Sequence, residues 1–230
     1  MTKNNNFDPI KVDDNEYKID HLKDLSLIID MDCQNGDTRP ITVHMRPTNH
    51  LFSREVTDDD KANRAKLEGS GHWLNSYIHH EGNYQQVKTP PKIKESRIFC
   101  KEKWEYSFLF PKFVALIEET PSHVTVLANA GDDKTCLSGI LEIEDRPEEV
   151  YLVFFVLTKI NSKEANMLIE SAYCVDPNVN PKAKKLIKPA RDDSKPFVIA
   201  LRNVMEGRKP LENKKQNSRA HKRRKKNRHK

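Results

Sequence analysis

The chain has 230 residues, of which 40 are Lys or Arg and 34 are Asp or Glu, and its formal net charge is +6. Only 36% of the residues are hydrophobic and the mean hydropathy is −0.80, so part of the chain is expected to lie outside a packed core. The sequence has neither a run of about 18 apolar residues nor an apolar leader, which argues against a membrane-spanning helix and a secretory signal. We therefore predict a cytoplasmic protein, or a nuclear one if the host is eukaryotic.

The first half of the chain is predicted to hold a β-hairpin, a short helix and a long irregular insert. Residues 1–20 are polar and rich in Asn and Asp, so we expect a disordered leader. One apolar run ends at Asp32 and the next begins at Ile41, with an Asn-Gly pair between them that favours a tight turn. Acidic residues followed by basic ones predict a helix over 57–66, and the polar, Pro-containing stretch 72–95 is predicted to be an irregular insert.

The second half is predicted to supply most of a sheet. Phe113, Leu116 and Ile117 fit one face of a helix. Four apolar segments after this helix are predicted strands: 123–129, 137–143, 151–157 and 167–175. Pro and Lys then become frequent over 177–208, which indicates a linker ending in a docking helix. The pattern predicts an α+β domain over 21–176, with a mainly antiparallel sheet of about five to six strands and a few helices on one side.

The end of the chain is strongly basic. From Arg202 onward there are 13 Lys or Arg against 2 acidic residues, whereas the preceding part has 27 against 32. We expect residues 209–230 to form a disordered tail that binds polyanions by releasing their counterions. The tail residues predicted to contact nucleic acid are Lys222, Arg223, Arg224, Lys225 and Lys226. A solubilising tail and a nuclear localisation signal are the alternatives.

The last predicted strand carries polar side chains near its end. Because side chains alternate across a strand, we expect one face to hold Met167, Ile169, Ser171, Tyr173 and Val175. Ser171 and Tyr173 would then form a polar pair on a rigid support. The structural alternative is a hairpin in which the tyrosine hydroxyl meets a backbone carbonyl.

A small set of polar residues suits proton transfer on a phosphate. His50 follows a predicted strand, and an imidazole with a pKa near ~6.5 transfers protons at neutral pH. Arg54 and Arg97 are candidates for holding a phosphate or a pentavalent phosphorane. Ser171 and Tyr173 are candidates for binding a phosphate oxygen or completing an acid–base pair. Each of these residues alone is more often structural, so the hypothesis requires that they converge in space.

We expect neither a cofactor nor a metal ion. The four cysteines form no Cys-x-x-Cys pair, which favours free thiols: Cys33, Cys100, Cys136 and Cys174. The spacing of His72, His79 and His80 matches no zinc pattern, and the sequence has no glycine-rich phosphate loop or Gly-x-Ser-x-Gly elbow. The chemistry that remains is metal-free acid–base catalysis.

Three short segments carry a resemblance to a known superfamily. They are Val43-His-Met-Arg-Pro-Thr-Asn-His50-Leu-Phe-Ser-Arg54, Arg97-x-Phe99 before a helix with Ser107, and Glu170-Ser-Ala-Tyr173. Over residues 25–176 the chain resembles the uncharacterised bacterial and prophage proteins of the barnase–EndoU–colicin–RelE-like nuclease superfamily.

The resemblance implies a helical N-terminal part on a four-stranded antiparallel sheet, and metal-independent RNA cleavage to a 2′,3′-cyclic phosphate. It implies that His50 is the general base or acid and that Arg97 clamps the phosphate. Ser171 and Tyr173 would be substrate-binding or catalytic groups. Lys103 stands where we expect an arginine, and we count it with Arg54 among the residues that bind nucleic acid.

Three functions remain open at this point. The first is a ribonuclease-like enzyme, related to toxins, prophages or defence, with RNA as its main partner, DNA as the second choice and a cognate inhibitor protein. The second is a non-catalytic nucleic-acid-binding protein that uses the basic tail. The third is a protein-interaction adaptor that uses the aromatic residues between 72 and 113. No membrane partner is expected, and the sequence leaves the oligomeric state open.

Overall fold

The structure, a computed structural model, describes residues 8–23, 25–32, 37–77, 94–128, 136–188 and 194–212. These segments form an α+β fold built on a seven-stranded, mainly antiparallel sheet, with a two-stranded and a three-stranded sheet in addition. The predicted fold class is confirmed. The predicted five to six strands are too few, because Ser194–Pro196, expected to begin a helix, forms a seventh strand. None of the helices in these segments is long and apolar enough to cross a membrane.

The predicted strands and helices occur in the predicted order, with several further elements between them. The strands are β1 (Ile10–Val12), β2 (Asn15–Tyr17), β3 (Ser26–Asp32), β4 (Thr38–Pro47), β5 (Ser53–Arg54), β6 (Trp73–Tyr77), β7 (Lys94–Phe99), β8 (Thr125–Ala128), β9 (Cys136–Glu142), β10 (Val150–Lys159), β11 (Glu164–Val175) and β12 (Ser194–Pro196). The helices are α1 (Asp58–Ala62), α2 (Arg64–Gly69), α3 (Lys101–Ser107), α4 (Phe110–Glu119), α5 (Pro181–Ile187) and α6 (Phe197–Met205). Two short 3₁₀ turns are Asp20–Leu22 and Asn49–Leu51.

The large sheet has one parallel pair, and this pair creates an open strand edge. The strand order is β12-β8-β9-β10-β11-β4-β3, and only β11 and β4 run parallel, over residues 164–169 of β11. β4 ends at Pro47 whereas β11 runs on to Val175, so residues 170–175 have no strand partner on that side within the described chain. The turn Asn49–Leu51 and helix α3 lie against this segment, which we call the open edge of β11.

Helices α4 and α6 cover one face of the sheet and build the main core. Pro111 lies in the first turn of α4, and Phe113 of the same helix is fully buried. At Gly139 of β9 the sheet approaches this helix so closely that a Cβ atom would lie 3.0 Å from Phe113 Cζ. From α6, Phe197 and Leu201 are fully buried, so this helix docks on the sheet as predicted. Burial of such side chains contributes about 1.5–3 kcal/mol each.

The opposite face of the sheet carries a smaller apolar cluster under α5. Its fully buried members are Leu127, Leu152 and Leu186. The side-chain oxygen of Asn180 caps α5 by accepting the backbone N–H groups of Lys182 and Ala183. Because α5 lies on this second face, helices cover both sides of the sheet, and the predicted placement on one side is wrong.

A β-bulge interrupts β11 at the start of its open edge. In the pairing with β10, Phe154 lies opposite Ser171 and Phe155 lies opposite Ile169, so Glu170 is an extra residue without a counterpart. An extra residue of this kind shifts the alternation of side chains by one position. The bulge therefore determines which residues after Glu170 face the main core and which face the smaller cluster under α5.

The shift moves the end of β11 to new faces. Ala172 joins Ile169 in the main core, whereas Tyr173 and Val175 pack with the smaller cluster on the other side. The prediction that one face holds Met167, Ile169, Ser171, Tyr173 and Val175 is therefore wrong, because the two halves of the strand alternate out of step. The predicted pair Ser171 and Tyr173 does share a face, since both follow the bulge.

Part of the predicted disordered leader has regular structure. Residues 8–20, predicted as part of a disordered leader, contain the hairpin of β1 and β2. The ring of Tyr17 lies 4.6 Å from the ring of Phe99 and 5.0 Å from that of Trp104. The Trp104 indole N–H donates to the carbonyl of Lys18 at 2.7 Å. Aromatic packing thus fastens this hairpin to β7 and α3.

Both ends of the predicted irregular insert 72–95 have regular structure. Strand β6 and strand β7 pair antiparallel, and β5 pairs with the other side of β7. Residues 78–93, which include His79 and His80, lie outside the described residues. Strand β7 matters for function because it presents Glu95 and Arg97 two positions apart, and therefore on one face.

Candidate active site

The loop after β4 brings His50 to the open edge of β11. The hydroxyl of Thr48 donates a hydrogen bond to the carbonyl of Glu170 at 3.2 Å, which ties this loop to the bulge. The chain then makes the 3₁₀ turn Asn49–Leu51, whose last residue is fully buried and fixes the turn in the core. His50 lies on this turn with its imidazole partly exposed. The end of one strand and the bulge of its neighbour therefore position the imidazole.

A carboxylate holds the imidazole in one tautomer. His50 Nε2 lies 2.9 Å from Glu95 Oε2, and the two side chains are 27% and 30% exposed. Because an ionised carboxylate only accepts hydrogen bonds, Nε2 must carry the proton. The lone pair of the neutral ring is therefore on Nδ1, which has no hydrogen-bond partner among the described residues. Among the described residues, nothing therefore prevents Nδ1 of His50 from accepting a proton.

Burial keeps this imidazole neutral. Desolvation is the largest effect and lowers the pKa of His50 below 6.5, against the hydrogen bond from Glu95, which raises it. The charges of Arg97 and Lys103 lower the pKa further. The imidazole is consequently unprotonated at neutral pH and can accept a proton.

Arg97 holds the carboxylate of Glu95 in position. Its side chain is 4% exposed, and its Nη1 donates to Glu95 Oε1 at 3.0 Å. Its Nε donates to the hydroxyl of Ser53 at 2.8 Å, and its Nη2 donates to the carbonyl of Ser53 at 3.4 Å. The Ser53 hydroxyl in turn donates to the carbonyl of Asn49 at 2.5 Å. All three guanidinium nitrogens are engaged within the protein, so the geometry favours a positioning role for Arg97 over the predicted phosphate clamp.

Lys103 places a cation beside His50. Its ammonium donates to the backbone carbonyl of His50 at 3.1 Å and lies 5.9 Å from the centre of the Tyr173 ring. Burial is the main reason why the pKa of Lys103 is lowered, and the charge of Arg97 adds to it. An ammonium has three donors, and a half-buried one interacts more strongly with an incoming anion than one in water. The site thus has a positive group next to its base.

Tyr173 and Ser171 complete the arrangement on β11. The Tyr173 ring stacks on Phe154, with 5.5 Å between ring centres and 27° between planes. Burial raises the pKa of Tyr173, so its hydroxyl stays protonated and can donate. The Ser171 hydroxyl is half-buried and makes no hydrogen bond within the described part of the chain. Lys103 thus links the backbone of His50 to the ring of Tyr173, and convergence of the predicted residues on one phosphate stays a prediction.

Comparison with known proteins gives a family. The chain matches the sequence model of the YjaZ family over residues 9–205, which is most of its length. It belongs to the YjaZ family. No curated protein and no solved structure is significantly similar to the chain. Membership does not bear on the resemblance to the nuclease superfamily, which stays a prediction.

Arg54, predicted to hold a phosphate, is engaged elsewhere in this YjaZ-family chain. Its Nη1 and Nη2 donate to the two carboxylate oxygens of Asp60 at 2.5 and 2.8 Å. Asp60 also accepts the backbone N–H and the hydroxyl of Thr57, which caps α1. The other predicted contacts with nucleic acid, Lys222, Arg223, Arg224, Lys225 and Lys226, lie outside the described residues.

The sequence reasoning missed Glu95 and Ser53. Glu95 lies at the end of the stretch that its two prolines and polar composition marked as irregular. The signal that could have found it is the pair Glu95 and Arg97, opposite charges two residues apart before the apolar Phe99, as on one face of a strand. Within the described residues of this YjaZ-family chain, no group of three or more His, Cys, Asp or Glu is arranged to hold a metal ion.

Proposed function

We propose that this YjaZ-family protein is a metal-independent endoribonuclease that cleaves RNA through a 2′,3′-cyclic phosphate. One observation carries the proposal: His50 is held by Glu95, and the Lys103 ammonium contacts both the His50 carbonyl and the Tyr173 ring. Lys103 therefore links the residue that carries the base to the phenol ring at the open edge of β11, which supports the proposal. A base, a cation and a phenol are the groups that cleavage of a phosphodiester needs when the nucleophile is the substrate's own 2′-hydroxyl.

The base in this proposal is His50 Nδ1. It accepts the proton of the ribose 2′-hydroxyl while the 2′-oxygen forms a bond to phosphorus. The bond between phosphorus and the 5′-oxygen of the next nucleotide breaks, and that oxygen takes a proton from the Tyr173 hydroxyl. The products are a 2′,3′-cyclic phosphate and a 5′-hydroxyl, and no water or metal is consumed in this step.

The charges around the base serve the transition state. The Lys103 ammonium stabilises the negative charge that grows on the non-bridging oxygens, an effect worth roughly 10²–10³ in rate for a single donor. The Glu95 carboxylate stabilises the imidazolium that His50 becomes, and Arg97 keeps that carboxylate in place. Ser171, with its free hydroxyl on the same face as Tyr173, is a ligand for the phosphate or the ribose.

The biological setting belongs to the same proposal. A cytoplasmic toxin, or a prophage or defence protein, would use such an activity against cellular RNA, and a cognate inhibitor would cover the open edge of β11. The nuclease-superfamily resemblance over residues 25–176 supports this setting.

A cleavage assay with a matched control tests the proposal. Purified protein is incubated with total RNA in EDTA, and wild type is compared with His50→Ala. His44→Ala is the control, because His44 also pairs with a carboxylate, that of Glu164, at 3.2 Å and with similar exposure of 33%. We expect cleavage by wild type and by His44→Ala and none by His50→Ala. Equal cleavage by all three proteins would exclude His50 as the base.

The second candidate function is nucleic-acid binding without catalysis. The supporting observation is the sequence of residues 214–230, which has 10 Lys or Arg among 17 residues and no acidic residue. Such a run binds RNA through counterion release whatever the domain does. Salt-sensitive binding that is lost on deletion of 209–230, together with no cleavage by wild type, would favour this function.

A further inference from the structure

The second face of the large sheet carries an aromatic pair between two helices. Phe154 of β10 and Tyr173 of β11 stack on each other, with 5.5 Å between ring centres. Both side chains are half-buried, whereas Leu152 and Leu186 of the same cluster are 0% and 3% exposed. The rings are therefore at the border of the cluster, where α5 stops covering the sheet.

A lysine lies at each end of this pair. Lys103 from α3 lies 5.9 Å from the centre of the Tyr173 ring, and Lys182 from α5 lies 4.8 Å from that of Phe154. The order cation, ring, ring, cation runs across the strip of sheet between the two helices. Ammonium groups at such distances are attracted by the ring faces, and an incoming phosphate competes for them as a stronger partner.

We infer that the strip formed by Phe154, Tyr173, Lys103 and Lys182 is a stacking subsite for bases of single-stranded RNA. Aromatic side chains bind bases of any sequence through their π-faces, and flanking cations bind the phosphates on either side. The inference deepens the proposed function and rests on it for the choice of RNA, since Tyr173 and Lys103 also belong to the site around His50. A base bound here would place its own or the neighbouring phosphodiester near the imidazole.

The bulge at Glu170 is what builds this subsite. Without the extra residue, Tyr173 would point to the main core, as Ile169 does, and could not reach the ring of Phe154. The hydroxyl of Ser171, opposite Phe154, is on the same face and is available to a ribose or phosphate oxygen. One strand irregularity thus places an aromatic ring and a hydroxyl on the face that α3 and α5 flank.

The binding test separates the strip from the basic tail by holding the ligand charge constant. The full chain is titrated with a fluorescent 2′-O-methyl RNA tetranucleotide, and with an abasic 2′-O-methyl oligomer of the same length, at one salt concentration. The tail is expected to bind both equally because their phosphates are equal in number. We expect the protein to bind the base-containing oligomer about tenfold more tightly, and Phe154→Leu to remove that preference with abasic binding unchanged.

Two further variants keep the test decisive if Phe154→Leu is unstable. Phe154→Trp retains the stacking surface, and its fluorescence should be quenched by the base-containing oligomer and not by the abasic one. Lys182→Gln should weaken binding of both oligomers several-fold. Lys185→Gln removes the same charge from an exposed position of α5 and should have a smaller effect.

The outcomes for the subsite and for catalysis can be told apart. The 2′-O-methyl group blocks the nucleophile, so binding is read without cleavage. A base preference that depends on Phe154, in a protein that does not cleave RNA, supports the subsite and overturns the nuclease. Equal affinity of wild type for the two oligomers, or an unchanged preference in folded Phe154→Leu, overturns the subsite even if RNA is cleaved.

Discussion

The Glu95 carboxylate lies 2.9 Å from Nε2 of His50 and fixes which ring nitrogen can act as a base. The same carboxylate accepts a hydrogen bond from the buried Arg97, so its position is set from two sides. The imidazole thus has the two properties of a general base: a free nitrogen and a pKa that burial has lowered below 6.5.

Replacement of Glu95 by Gln should change both the pKa of His50 and the rate. The Glu95 carboxylate raises the pKa of His50 against the stronger effect of burial, so a neutral amide should let that pKa fall further. The acid limb of the rate profile, which in wild type should lie below pH 6.5, moves to lower pH in the variant. The rate at pH 7 should decrease about 100-fold, because the imidazolium formed in the transition state loses its partner.

The check is a titration of the imidazole by NMR together with the pH–rate profile. The signals of His44, paired with Glu164, serve as the internal control and should not change. A pKa of His50 that rises in Glu95→Gln would contradict the arrangement described here.

Removal of the Lys103 charge should slow cleavage with little effect on the fold. Lys103→Gln should reduce kcat by roughly 10²–10³, the loss expected for one donor to the transition state. The control is Lys101→Gln, on the same helix, because Lys101 is exposed and its pair with Glu105, at 3.8 Å, lies at the surface. Single-turnover cleavage and thermal unfolding are measured for both. Equal rates in the two variants would remove Lys103 from the mechanism.

Arg97 is expected to act through stability. Arg97→Lys keeps the charge but cannot reproduce the three bonds to Ser53 and Glu95, so the free energy of unfolding should fall by about 2–3 kcal/mol. Arg64→Lys, which changes an exposed pair with Glu68, should cost less than about 0.5 kcal/mol. Denaturant unfolding measures both. A fully stable Arg97→Lys with weakened RNA binding would instead support the phosphate clamp predicted from the sequence.

Asp60 should contribute to the free energy of unfolding, and this contribution should be lost at acid pH. The hydrogen bonds from Arg54, and then those from Thr57, hold the pKa of Asp60 well below its usual range. A lowered pKa stabilises the fold at pH values above the unfolded pKa of about 3.9, and this stabilisation is lost as pH falls through the folded value. Asp60→Asn should therefore lower the free energy of unfolding by about 1–2 kcal/mol at pH 7, and the difference from wild type should shrink below about pH 4.

The matched substitution for this prediction is Asp58→Asn, in the same helical turn. Asp58 is exposed and pairs with Lys61 at the surface, so its loss should leave the free energy of unfolding nearly unchanged at either pH. Urea unfolding at pH 7 and pH 3.5 gives both values. A constant difference between wild type and Asp60→Asn across this range would contradict the role of the Arg54 pair.

The sequence predicted the fold where periodicity and apolar runs carry the information. The predicted strand 151–157 lies within β10, and the predicted docking helix is α6, whose Phe197 and Leu201 are buried. The bulge at Glu170 was not predictable, because an extra residue is defined only by the register of the neighbouring strand. The seventh strand at Ser194–Pro196 was missed since three residues are too few to show a period.

The site was predicted only in part, because residue types can be read from the sequence whereas long-range contacts cannot. His50 and Tyr173 were recognisable as residue types suited to the chemistry, and long-range pairing brings both to Lys103. Glu95 was hidden because its strand follows a polar, Pro-containing stretch, and only the contact with His50 gives it a role. Arg54 was predicted at the site from its residue type, but it pairs with Asp60, whose position is set by the cap of α1.

The central claim is that the 2′-hydroxyl of RNA is the nucleophile and His50 its base. The most direct measurement uses a DNA oligonucleotide with a single ribonucleotide, incubated in EDTA with wild type, His50→Ala and His44→Ala. We predict one cut, directly after the ribonucleotide, with a 2′,3′-cyclic phosphate on the product from wild type and His44→Ala and no cut from His50→Ala. The control substrate is the same oligonucleotide made entirely of DNA. Cleavage of this control, or a cut by His50→Ala at the wild-type rate, would contradict the claim that the 2′-hydroxyl is the nucleophile and His50 its base.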